Sequence, residues 1–123
     1  MLKLLLDEHI SPDVARGLRR RDRTITVHAM TEWEGGNFLG QEDAACLKDA
    51  TAQRLTLVTY DRRTIPPLLK GWAEAGIHYA GVIFVDDKTF APSDIGGLVL
   101  ALASLVKEAH NWDWANRICF LRR

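Results

Sequence analysis

Two cysteines, four prolines and no long apolar run show what this 123-residue chain does without. Cys46 and Cys119 stand far apart in apolar surroundings and lack metal-type spacing. They read as small buried hydrophobes of a reducing compartment, not as a zinc site or a disulfide frame. No stretch approaches the roughly 20 apolar residues of a membrane span. The first apolar run is too short for a signal peptide and meets acids at once. Charge of neither sign dominates: sixteen basic and sixteen acidic residues give a formal net charge of +0. With no global field, binding to nucleic acid must come from local clusters. These absences predict a cytoplasmic protein with no membrane partner, folded as one domain over residues 1–123. That length buries enough surface to fold without a staple.

What is present alternates. "LKLLLD" (Leu2 to Asp7) reads as a short buried strand. Ser11 is a helix cap, Pro12 suits the first helical position, and Arg19, Arg20 and Arg21 suit the helix end. "TITVHAM" is β-branched and reads as a second strand, followed by the glycine-punctuated loop Thr31 to Gln41. A helix over about 42–53 turns Leu47 and Ala50 inward. "RLTLVTYD" is a third strand, and Pro66 and Pro67 open a helix that stops near Gly76. "AGVIFVDD" is a fourth strand. Ser93 is the expected cap of a long helix in which Ile95, Leu98, Val99, Leu102, Leu105, Val106 and Ala109 keep the 3.6 period. "RICFLRR" is a last strand. This alternation predicts an α/β fold, a three-layer αβα sandwich around a mostly parallel sheet of about five strands.

The acids fall in a pattern. Asp7, Glu8, Asp61, Asp86 and Asp87 all end predicted strands, where open α/β sheets bind ligands. Gathered carboxylates repel one another, and a cation relieves them. Oxygen-only ligands favour Mg²⁺ or Mn²⁺ over zinc. Such metals beside a phosphate polarise its oxygen and activate water, which is nuclease or phosphatase chemistry. Each acid also has an ordinary role open to it. Asp7 can order the loop before the first helix, and Glu42 or Asp43 can be a first-turn acid. Asp61 can serve a turn, as can Asp86 and Asp87. Alternation on a strand turns Glu8 away from Asp7 or leaves it to the turn. His9 reads first as a turn residue. The run from Arg19 to Arg23 reads first as a solvated helix end. Trp33, Trp72, Trp112 and Trp114 divide between core packing and a partner surface.

"LLDEHISPDVARGL", an acid opening the helix after the glycine loop, and "LTLVTYDRRT" together resemble the PIN-like family, compact relatives of the PIN-domain toxins of toxin–antitoxin pairs. The resemblance spans roughly residues 2–90. It implies a Mg²⁺- or Mn²⁺-dependent ribonuclease in which Asp7, Asp43 and Asp61 hold the metal, with Glu42, Glu8 and Asp86 as further candidate ligands. Arg62, Arg63, Arg20 and Arg21 would then contact RNA phosphates, and Ser11 would orient Asp7 or a metal-bound water. A cognate antitoxin masking the acidic cleft and a homodimer are implied as well. Relatives often carry another acid where this chain has Arg63. That departure supports one alternative, an inactive PIN-like interaction module. A second alternative is a receiver-type domain phosphorylated on Asp61. It lacks the expected hydroxyl residue after the fourth strand and the lysine after the fifth.

Overall fold

A computed structural model describes residues 2–36 and 43–123. Glu42, the first residue of the expected second helix, and residues 37–41 of the expected glycine loop lie outside the described residues. Among the described residues, five strands alternate with four α-helices. They are β1 (Lys3–Leu6), α1 (Pro12–Arg21), β2 (Thr26–Ala29), α2 (Asp43–Ala52), β3 (Thr56–Thr59), α3 (Ile65–Glu74), β4 (Val82–Phe84), α4 (Ile95–Ala109) and β5 (Ile118–Phe120). A short 3₁₀ turn, Trp33–Gly36, follows β2. No helix among the described residues is long and apolar enough to cross a membrane.

Every strand pair is parallel, and the order is β2-β1-β3-β4-β5. The expected α/β class and layered sandwich are therefore observed, with a sheet that is wholly parallel. Strand alternation sends Leu4 and Leu6 to one face, where α1 and α4 pack through Val14, Leu18, Leu98 and Leu102. Leu5 and Leu57 face the other way, against Leu47 of α2 and Ile65 and Leu69 of α3. β1 leads through α1 to a strand on one side. β2 leads through α2, across the opposite face, to a strand on the other side. The topological switch thus lies between β1 and β3, where this class of sheet opens a crevice beyond its strand ends.

Local chemistry sets the helix limits. Ser11 Oγ accepts the Asp13 N–H at 3.1 Å, Pro12 sits at the helix start, and three arginines occupy the last turn. For α4 the expected cap shifts by one residue. Asp94, not Ser93, accepts the Gly97 N–H at 3.0 Å, and it also holds Arg123 at 2.8 Å. Both residue types cap well, and the second partner favours the aspartate. α1 and α4 meet closely at Gly17, where a methyl group would stand 2.7 Å from Val99 Cγ2. Only glycine permits that approach. Gly81 is similarly required: its φ of +94° is left-handed, and a Cβ there would lie 2.8 Å from the Trp114 carbonyl oxygen.

Candidate functional site

Asp7 follows β1 directly, and its N–H still pairs with Val58 O at 3.0 Å. The chain then turns, closed by the Ile10 N–H on Asp7 O at 3.1 Å. Asp7 Oδ1 accepts the His9 N–H at 2.9 Å, an Asx turn that orders the approach to α1. Its other oxygen, Oδ2, accepts the hydroxyl of Thr59 on the neighbouring strand. Asp7 is 8% exposed. Burial pushes its pKa up, against the lowering pull of Thr59, His9 and Tyr60.

Asp61 lies two residues beyond β3. Its Oδ1 accepts the N–H groups of Arg63 at 2.9 Å and Thr64 at 2.8 Å, so it opens α3 in place of Thr64, whose own hydroxyl makes no cap bond. Burial pushes Asp61 up, but the bonds from Thr64 and Arg63, with a further one to Asp43, outweigh it. The group is held below the ordinary carboxylate range. Asp43, the first residue of α2, moves the other way. Burial raises its pKa first, the charge of Asp61 and a shared hydrogen bond second, and the charges of Asp7 and Glu8 after that. Their mutual charge and the hydrogen bond between them push the two groups in opposite directions. Two neighbouring carboxyls cannot both ionise cheaply.

The three expected acids therefore converge on one hollow at the β1/β3 switch point. Asp7, Asp43 and Asp61 line it with Glu8, His9 and Thr59, above a floor that includes Met30 and Ile65. Among the described residues, no three His, Cys, Asp or Glu side chains are grouped so as to enclose a metal ion as they stand. The donor set of the hollow is nonetheless carboxylate and hydroxyl oxygen apart from His9, Cys46 and the Met30 thioether.

Other expected residues are placed differently. Glu8 is exposed at the rim, and its charge reaches Asp43. Alternation does not turn it away, because β1 ends at Leu6 and residue 8 lies in a turn. Asp86 is not in this hollow. It accepts the Lys88 N–H at 3.1 Å and serves the turn after β4. Arg62 and Arg63 are exposed and border a second depression that shares His9 and Asp61 with the first. Arg20 and Arg21 end α1. That helix starts at the strand ends carrying Asp7 and runs back along the sheet, so both arginines sit toward the opposite edge. Ser11 is engaged by the Asp13 N–H. Trp33 and Trp114 are buried, Trp72 is half-buried against the core, and Trp112 is exposed.

Thr59 is the residue that the motif reading passed over. Its oxygen accepts the Asp61 N–H at 3.0 Å while its hydroxyl proton goes to Asp7. One side chain thus ties the two acids together. The signal was in "VTYD": a polar residue two positions before an acid, in a strand where all four residues are buried. No protein-family model, curated protein or solved structure matches this chain.

Proposed function

We propose that this chain is a PIN-like, Mg²⁺- or Mn²⁺-dependent ribonuclease, acting as the toxin of a toxin–antitoxin pair. The observation that carries the reading is the convergence of Asp7, Asp43 and Asp61 from three separate elements on one hollow, with Asp43 and Asp61 pushed apart in pKa. The donor chemistry fits a hard cation, since carboxylate oxygens are what such cations prefer. The three carboxylates would hold it, with water and substrate completing its shell. When bound, the cation lowers the pKa of a water and stabilises charge on the scissile phosphate.

The chain's own residues prepare that hollow. Thr59 and the His9 N–H fix both oxygens of Asp7, so this carboxylate meets its ligand without reordering. The Arg63 and Thr64 N–H groups keep Asp61 ionised. Asp43 is pushed up by burial and by the charges of Asp61, Asp7 and Glu8, a strain that positive charge entering the hollow would relieve. Arg63, the departure from the family pattern, contributes through its backbone N–H, which any residue other than proline supplies. Arg62 and Arg63 stand beside Asp61, placed for flanking phosphates. In this reading the RNA enters at the acidic hollow, and an antitoxin inhibits by covering it.

The sheet order supports a second reading, since receiver domains share the 2-1-3-4-5 arrangement with the switch at β1/β3. Against it, Asp61 Oδ1 already accepts two N–H groups, and acid rather than hydroxyl follows β4. Incubation with acetyl phosphate separates the two: labelling at Asp61 supports the receiver. The nuclease test is cleavage of labelled RNA with Mn²⁺. Asp7→Asn is expected to abolish Mn²⁺-stimulated cleavage while the circular dichroism spectrum is retained. A wild-type protein that neither cuts RNA nor binds either metal by calorimetry sinks the reading.

A further inference from the structure

A second feature of the molecule is independent of the acidic hollow. β5 ends the sheet, so no described strand pairs with its outer edge. Toward β4, the Arg117 carbonyl accepts the Val82 N–H at 2.9 Å and the Leu121 N–H donates to Phe84 O at 2.9 Å. By alternation, the N–H and C=O groups of Ile118 and Phe120 point outward. Edge strands are usually blunted by charge, proline or cover. Here Ile118 is 49% exposed and Phe120 55% exposed.

Apolar side chains lie on both faces of that edge, although Glu108 of α4 also lines the groove on one of them. Cys119 and Leu121 turn to the α1/α4 core, and a groove there runs between β5 and the exposed Leu100 of α4. Phe120 turns to the other face, where its ring lies 5.6 Å from that of Phe84. The ends of the edge are cationic. Residues 117–123 contain three arginines and no acid, in a chain whose formal net charge is +0. Arg123 is paired with Asp94 at 2.8 Å, while among the described residues no carboxylate pairs with Arg117 or Arg122. Arg117 lies over the Trp112 ring, 4.9 Å from its centre.

We propose that the outer edge of β5 docks an extended, acidic segment of another protein, which joins the sheet as a sixth strand beside Ile118 and Phe120. Main-chain bonds supply the affinity of such strand addition, and alternate side chains and end charges supply the selection. A second copy of this chain fits poorly. In a two-fold antiparallel pairing, Arg117 of each copy comes alongside Arg122 and Arg123 of the other, and neither strand offers an acid. A nucleic acid fits poorly as well, because the outward carbonyls of Ile118 and Phe120 would face phosphate oxygens. Acidic flanks around an apolar strand meet both the edge and its charge.

The test uses fluorescence anisotropy with a labelled peptide of alternating Val and Thr framed by glutamates, and the same peptide framed by lysines. The full chain is expected to bind the acidic peptide at least about tenfold more tightly. Phe120→Pro removes an outward N–H without touching a bond to β4, and is expected to abolish binding. Arg122→Glu, at an exposed position, keeps the backbone and is expected to remove the preference for glutamate even if the proline variant fails to fold. Equal binding of both peptides, or an unchanged preference in Arg122→Glu, overturns the proposal. So does a dimer in sedimentation that Phe120→Pro dissolves, or displacement of the peptide by oligouridylate.

Discussion

β1 and β5 are both short apolar runs closed by charge, yet they do opposite work. "KLLL" has neighbours on both sides, its three leucines are buried, and its end delivers Asp7 to the switch point. "ICF" has a neighbour on one side only. Two of its three residues are exposed, and its end delivers arginines to the rim of a groove. Position in the sheet separates them, more than composition does. A central parallel strand is covered by helices on both faces and excludes water from whatever follows it. The carboxylate after β1 is consequently desolvated, while the arginines after β5 remain in water.

This contrast sets the expected stability effects. Leu5→Ala empties a site with no exposure and is expected to cost about 2–5 kcal/mol. Phe120→Ala, on the open edge, is expected to cost under about 1 kcal/mol despite removing more atoms. Urea denaturation of the two variants checks the order, and equal losses would mean that β5 is covered in solution. Gly17→Ala forces a methyl group toward Val99 and is expected to cost about 1–3 kcal/mol by pushing α1 from α4.

The smallest effect concerns pH. The raised pKa of Asp7 means that the folded state holds its proton more tightly than the unfolded state. Its contribution to stability is therefore full below the ordinary carboxylate pKa and is lost as pH rises through the raised value. Asp61, held low, acts in reverse: its contribution is present above the ordinary pKa and is lost as pH falls through the lowered one. Asp7→Asn is thus expected to raise the melting temperature at neutral pH by about 3 °C. The gain should shrink toward zero in acid. A gain that persists unchanged at low pH would show that burial of the charge is not its source.

Much of this was legible from residues alone. The period-3.6 stripe of α4, the Ser11–Pro12 start of α1 and the β-branched runs named the elements, because each depends on neighbours a few positions away. The spacing of "LLDE" and "VTYD" singled out Asp7 and Asp61, since both end apolar runs. Less legible were Thr59, whose role requires two adjacent strands, and Asp94, which outcompetes Ser93 with the help of Arg123 from the far end of the chain. Of the two readings of Glu8, the turn is the one observed, because β1 ends at Leu6 before strand alternation could reach it.

Local order and hydrophobic pattern were thus determined by the sequence: the alternation of strands and helices, their parallel layering, and the candidate acids. Tertiary structure decided how these acids relate. Asp43 and Asp61 are pushed to opposite sides of the ordinary carboxylate range, Asp7 is shielded from water, and β5 rather than β1 is left open, because each depends on which strands become neighbours. That choice is made by burying two apolar faces at once, and no short window of residues contains it.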